Sequence, residues 1–127
     1  MSVFNSSFIS SGLKISLLVI ISLITLGCDE GPDQQTLLIN AQNATPKDAH
    51  IADIYQRSCR ACHAVDESTA PLVGDQKAWQ PRLEKGMDTL LNSVINGYAG
   101  MPPFGMCMDC NAQEFEALIQ FIATGNG

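Results

Sequence analysis

Apolar residues along this chain follow three patterns. The first is an unbroken run without a period, "ISLLVIISLITL" from Ile15 to Leu26. As a helix it would span roughly 18 Å at about 1.5 Å per residue, against a bilayer core of roughly 30 Å. That length suits the core of an export signal better than a membrane span. The second pattern has a helical period. Ile51, Ile54, Tyr55 and Ser58 share one face, as do Leu90, Leu91, Val94 and Ile95, and as do Phe115, Leu118, Ile119 and Ile122. The third is polar and aperiodic: "DEGPDQQTLLINAQNATPK", residues 29–47, where Gly31, Pro32, Pro46 and several Asn and Gln surround a lone "LLI".

These patterns predict four helices and no strand, hence an all-α fold. The first helix runs from about Asp48 to Ser58 and leads into "SCRACHA". The second lies within Asp75–Gly86. Proline beyond a first turn costs about 3 kcal/mol, so Pro81 makes this helix start late, near Lys77, or kink. Asp88 is expected to cap the third helix and Gly97 to end it. The fourth opens with a capping box, Asn111 and Glu114, and stops at Gly125. The predicted organisation is an export signal over 1–27, a lipidated N-terminus and flexible tether over 28–47, and a folded domain over 48–127. A domain of roughly 80 residues has a thin core and commonly relies on a metal, disulfide or cofactor as well.

Charge narrows the partners. The formal net charge is −6, which argues against nucleic acid as a partner. Removing residues 1–27 takes away only Lys14 and leaves −7. That balance suits a cationic patch on a partner protein, and equally a merely solvated surface. The signal ends "LITLGC", with Gly27 before Cys28. This resembles a bacterial lipobox, although Thr25 stands where such boxes usually carry Leu. The resemblance implies a diacylglyceryl group on the Cys28 thiol and an acyl chain on its amine. Each buried methylene contributes about 0.8 kcal/mol, so several chains anchor firmly. Asp29 resembles a signal for retention at the inner membrane. The expected location is the periplasmic face of that membrane, with a soluble periplasmic protein as the alternative.

Five cysteines remain to be placed: Cys28, Cys59, Cys62, Cys107 and Cys110. Two C-x-x-C pairs would suggest zinc, but 45 positions separate Cys62 from Cys107, which is long for a compact zinc ribbon. An exported protein also meets an oxidising compartment. One assignment uses every cysteine: lipid on Cys28, covalent haem c on Cys59 and Cys62, and a disulfide between Cys107 and Cys110. C-x-x-C-H is the c-type haem attachment pattern, and the "CMDC" pair lacks the following His. Two thioether bonds would hold the segment across one ring edge and present His63 to the iron. For the opposite side the candidates are His50, Met87, Met101, Met106 and Met108. Met101 stands out in "YAGMPPFG", where two prolines stiffen an extended loop that can hold a weak, soft ligand.

"CRACHA" together with "APLVGDQKAWQPRLEKGMDTLLNSVINGYAGMPPFGMCMDCNAQEFEALIQFI" resembles the small bacterial class I cytochromes c of the cytochrome c-five type, over about Ile54 to Ile122. The resemblance implies about four helices around one covalent haem, the first and last crossing, with His63 and Met101 as iron ligands. It implies that the Pro71 carbonyl accepts a hydrogen bond from His63, and that Trp79, Arg82 and Tyr98 pack near or bond the haem propionates. It matches Cys107 and Cys110 to the family's disulfide. The family's run after the prolines is glycine-rich; Phe104 and Met106 depart from it. A lipid anchor is not inherited from the resemblance.

The expected function is electron carriage, not enzymatic catalysis, between membrane redox complexes or other cytochromes. A six-coordinate His/Met iron leaves no open site for substrate. A haem sensor or a haem subunit with a labile distal ligand is the alternative. A lipoprotein built on a zinc or disulfide knot is a third reading.

Overall fold

The computed structural model describes residues 31–126. The expected export signal and the lipidated Cys28 lie outside the described residues. Folded structure begins earlier than the helical periods suggest. Helix α1, Gln34–Asn43, is capped by Asp33, whose carboxylate accepts from the Thr36 N–H at 2.9 Å. Leu37 and Leu38 pack against the core and Ala41 is fully buried. At its ends, Gln34 donates to Asp66 at 3.1 Å and Arg60 donates to the Gln42 carbonyl at 3.0 Å. The flexible tether expected over 28–47 is therefore corrected: its central ten residues form a docked helix. The physical reason is that three inward positions, one of them only an alanine, satisfy a helix this short. They leave too brief a stripe to stand out among Gln and Asn.

Asp48 caps α2, Ala49–Ile54, by accepting from the Ile51 N–H at 3.0 Å. The expected stop near Ser58 is not observed. The helix widens into a π turn at Tyr55–Cys59 and continues as α3, Arg60–His63. Such a turn inserts a residue into the helical register and often marks functional positions. Here it carries the chain straight through the cysteine motif. Tyr55 is fully buried, and its ring meets Phe121 edge-on at 4.9 Å, where this helix crosses the last one. Burial pushes the Tyr55 phenol up to about 12.

Helix α4 is Gln76–Leu83 and α5 is Met87–Asn96. Asp75 caps α4, so this helix begins before Lys77 and retains Pro81 inside it. Pro81 lies close enough to the C-terminal end that only the last part of the ladder loses a donor. Asp88 is not the cap of α5. Gly86, at φ 84°, precedes the helix, and Asp88 lies in the first turn, where its charge favours the positive end of the helix dipole. Gly97 ends α5 as expected. A 3₁₀ turn, Pro103–Met106, then leads to α6, Ala112–Thr124. The Asn111–Glu114 capping box forms in both directions, and Gly125 closes α6 in the left-handed conformation. Among the described residues there is no strand, only a paired bridge between Tyr98 and Met101.

If α1 is a docked element, Ala41→Asp should lower unfolding stability by about 2–3 kcal/mol, because a carboxylate is forced against apolar neighbours. Asn40→Asp, on the exposed side, should be close to silent. Denaturant unfolding of the two variants checks this; a loose tether would tolerate both equally.

Candidate functional site

The apolar faces of α5 and α6 do not close on each other everywhere. Between them and the α3 segment lies a cavity of about 450 Å³, within the roughly 300–1,000 Å³ range of small-molecule and cofactor sites. Leu90 and Val94 wall one side, and Phe115, Leu118, Ile119 and Ile122 another. These stripes read as ordinary core in the sequence. The only hint that they frame a site was the short supply of apolar partners for them.

Cys59, Cys62 and His63 line the cavity from α3 and the turn before it. Neither cysteine is paired in a disulfide. His63 is only 7% exposed. Its Nδ1 lies 2.8 Å from the Pro71 carbonyl oxygen. A carbonyl can only accept, so Nδ1 carries the hydrogen and Nε2 holds the free lone pair. Burial lowers the His63 pKa, opposed in part by the Pro71 bond. The ring is thus neutral, oriented and ready to act as a ligand. The following loop is tied down around it. Val73 N–H donates to the His63 carbonyl at 2.9 Å, and Trp79 Nε1–H donates to the Leu72 carbonyl at 2.8 Å.

Met101 reaches the same cavity from the other chain segment. Two glycines make its position possible. A Cβ on Gly97 would lie 2.8 Å from the Met101 carbonyl oxygen, and one on Gly105 would lie 3.1 Å from the Met101 methyl. Tyr98 and Met101 exchange backbone hydrogen bonds of 3.1 and 2.9 Å. Ala99, Phe104 and Met106 all have positive φ, at 52°, 60° and 68°. Left-handed backbone costs a non-glycine residue about 1–2 kcal/mol. Phe104 and Met106 are the two departures from a glycine-rich run, and both stand where glycine would be unstrained.

Trp79, Arg82, Tyr98 and Pro71 also line the cavity. The Trp79 indole N–H is bonded to Leu72 rather than free to meet a propionate, and its ring centroid stands 6.0 Å from that of His63. Arg82 is half-buried and one of its nitrogens donates to the Ala78 carbonyl. Tyr98 is 61% exposed at the rim. His50 is elsewhere: its Nε2 meets Glu114 Oε1 at 2.5 Å on the surface of α6. Cys107 and Cys110 bring their sulfurs together at the turn after the Met101 loop, with Cα atoms 5.4 Å apart. That falls inside the roughly 4.4–6.8 Å range of disulfides. Arg57, which carries no motif of its own, bonds both Asp109 and Cys107 across this turn.

Two thiols, a neutral imidazole and a thioether converge on one apolar cleft, which is the donor set of a c-type haem site. Comparison with known proteins gives the same answer. The family model described as cytochrome c oxidase, cbb3-type, subunit III matches residues 46–122. Cytochrome c5 of Azotobacter vinelandii is 41% identical over 69 residues, 53% of this chain and 83% of that one. Cytochrome c5 of Ectopseudomonas mendocina is 40% identical over 70 residues, 54% of this chain and 80% of that one. Cytochrome c-555 of Chlorobaculum tepidum is 48% identical over 46 residues, 36% of this chain and 43% of that one. A cytochrome c chain in the crystal structure of an electron transfer complex of nitrite reductase with cytochrome c superposes with a TM-score of 0.53 and 33% identity, covering 60% of this chain and 93% of that one. The chain belongs to this family of cytochrome c domains, among the small class I monohaem c-type cytochromes. Its cofactor is haem c, attached covalently through Cys59 and Cys62. It is an electron carrier rather than an enzyme.

The His50–Glu114 pair makes a pH-dependent contribution to stability. The Glu114 bond raises the His50 pKa above its ordinary 6.5. The Asn111 backbone, and then His50, hold Glu114 below its ordinary 4.5. A raised base stabilises below its unfolded value and loses this as pH climbs through its folded value. A lowered acid does so above its unfolded value and loses it as pH falls. The pair is therefore at full strength between pH 4.5 and 6.5. His50→Gln should cost most stability in that window and progressively less at alkaline pH, as read by unfolding midpoints across pH.

Proposed function

We propose that this chain is a membrane-tethered, periplasmic electron carrier whose iron is held between His63 and Met101. The observation that carries this reading is that both residues line one apolar cavity with Cys59 and Cys62, and that the Pro71 carbonyl leaves only Nε2 of His63 free to coordinate. Bound haem c supplies the iron that takes up and releases one electron. His63 would bind the iron through Nε2, its ring orientation set by the Pro71 carbonyl. Met101 offers a soft, neutral ligand that favours iron(II) and raises the potential. A stiff Met101 loop would hold this thioether in one place with little entropy lost. Leu90, Val94, Ile119 and Ile122 exclude water. Trp79 packs against the group while its N–H stays on Leu72, and Arg82 and Tyr98 at the rim are the propionate-binding groups. Cys107 and Cys110 form a disulfide.

Donor and acceptor are membrane redox complexes or other cytochromes. A cytochrome c chain of the same fold occurs in an electron transfer complex with nitrite reductase, which supports a redox protein as partner. Acidic charge on this chain suits a basic patch on that partner. A lipid on Cys28 would confine the search to the membrane surface and raise the effective concentration.

The iron ligands are tested by the absorption spectrum of the holoprotein, including the weak near-infrared band of sulfur bound to iron(III). Met101→Ala should abolish that band, while Met106→Ala and His50→Gln keep it. Survival of the band in Met101→Ala overturns the assignment, and free binding of carbon monoxide by the unmodified reduced protein would point to a sensor instead.

The tether is tested separately. Mass spectrometry of the mature N-terminus should find Cys28 as the first residue with acyl chains, and Cys28→Ser should release the protein from membranes. An unmodified, soluble mature chain overturns the anchor.

A further inference from the structure

Arg57 has no part in the site described so far. It lies in the π turn, two residues before Cys59, and its side chain crosses to the turn that follows the Met101 loop. Its two terminal nitrogens meet both carboxylate oxygens of Asp109, at 3.1 and 2.9 Å. One of them also stands 3.3 Å from Cys107 Sγ. Asp53, one helical turn back, is farther away at 3.9 Å. The pair joins residues 52 apart in sequence. One end belongs to the segment that carries Cys59, Cys62 and His63. The other, Asp109, lies three residues after Met106.

The loop between needs such a hold. Ala99, Phe104 and Met106 all occupy left-handed backbone that non-glycine residues leave when free to do so. Its upstream end is tied by the Tyr98–Met101 bridge and the close approach to Gly97. Its downstream end is Cys107, only 1% exposed. Arg57 is the side chain of the α2–α3 segment that grips this end. Both fork bonds to one carboxylate fix a direction as well as a distance, which a lysine ammonium cannot do.

We propose that Arg57 is a positioning residue for the distal ligand: its two-pronged bond to Asp109, beside Cys107, holds the Met101 loop against the segment that carries His63. This rests on the His63/Met101 reading above. Asp109 is held below the ordinary carboxylate range chiefly by the Arg57 hydrogen bond, in keeping with a formed pair.

The test uses the oxidised holoprotein, following the near-infrared sulfur–iron(III) band and the far-ultraviolet circular dichroism together through a temperature ramp. In Arg57→Gln and in Asp109→Asn the band should fade at lower temperature than helix content. At a fixed temperature below unfolding, the fraction lacking the band should rise roughly fivefold, the upper range for one partly exposed pair. The double variant should be no worse than either single, since both remove one interaction. Arg57→Lys should restore the band only in part. If Arg57→Gln does not accumulate, Asp109→Asn breaks the same pair from its more exposed side. Band loss that tracks unfolding in every variant, or effects of the two singles that add, would overturn the inference while leaving the ligand assignment intact. A wild-type spectrum without the band, or a band that survives Met101→Ala, would overturn the ligand assignment and this inference with it.

Discussion

The constraint on which this fold depends is that α5 and α6 pack on each other only in part and leave an apolar cavity of about 450 Å³ beside the α3 segment. Leu90 and Val94 on one helix, and Phe115, Leu118, Ile119 and Ile122 on the other, belong to the buried core and also wall a cavity. A chain of this size has few further residues to spare for that interior. Haem c resolves the conflict, being flat, largely apolar and bonded to the chain through Cys59 and Cys62. A cofactor seated there would complete the core. The same logic explains why the helical stripes look like ordinary packing in the sequence: they are packing, with a non-protein partner.

The side of the cavity that holds His63 is organised by backbone carbonyls. Three successive residues do three jobs. The Pro71 carbonyl accepts from His63, the Leu72 carbonyl accepts from Trp79, and the Val73 N–H returns a bond to the His63 carbonyl. Proline at 71 has no N–H to satisfy in this crowded turn. Trp79 thus serves the site through a neighbour, by pinning the loop that orients the imidazole. An indole directed to a propionate would leave the Leu72 carbonyl in need of another donor in buried surroundings.

Local chemistry was legible and tertiary chemistry was not. The C-x-x-C-H motif, the Asn111–Glu114 capping box and the Gly97 and Gly125 stops each depend on residues a few positions apart, and each is found where the residue types indicate. The turn around Met101 was legible for a similar reason, since Gly97, Gly100 and two prolines shape it locally. Helix α1 was missed because its stability comes from docking: Ala41 carries no hydrophobic signal of note, yet is fully buried. The π turn left no residue signature, as its widened register answers to the crossing of Tyr55 with Phe121. Arg57 and Asp109 each look like ordinary surface charges, and nothing in a linear reading pairs two residues 52 apart.

The strained loop separates two reasons for tolerating left-handed backbone. Phe104 has φ 60°, but its ring stands 6.4 Å from that of Phe115 on the cavity wall. Glycine there would relax the backbone and lose that packing, while adding freedom to the unfolded chain. Burial thus offsets strain at Phe104. Met106 is different: it has φ 68° and is 68% exposed. Its side chain lines the cavity and is not packed into the protein core. Its shape must be imposed from both sides, by the Met101 methyl closing on Gly105 and by the buried Cys107 that follows. A strained residue with little burial, lying between two fixed neighbours, shows that the fixed points are stronger than the local preference. The geometry around Met101 is accordingly a property of tertiary contacts at the ends of the loop, and only secondarily of the loop's own sequence.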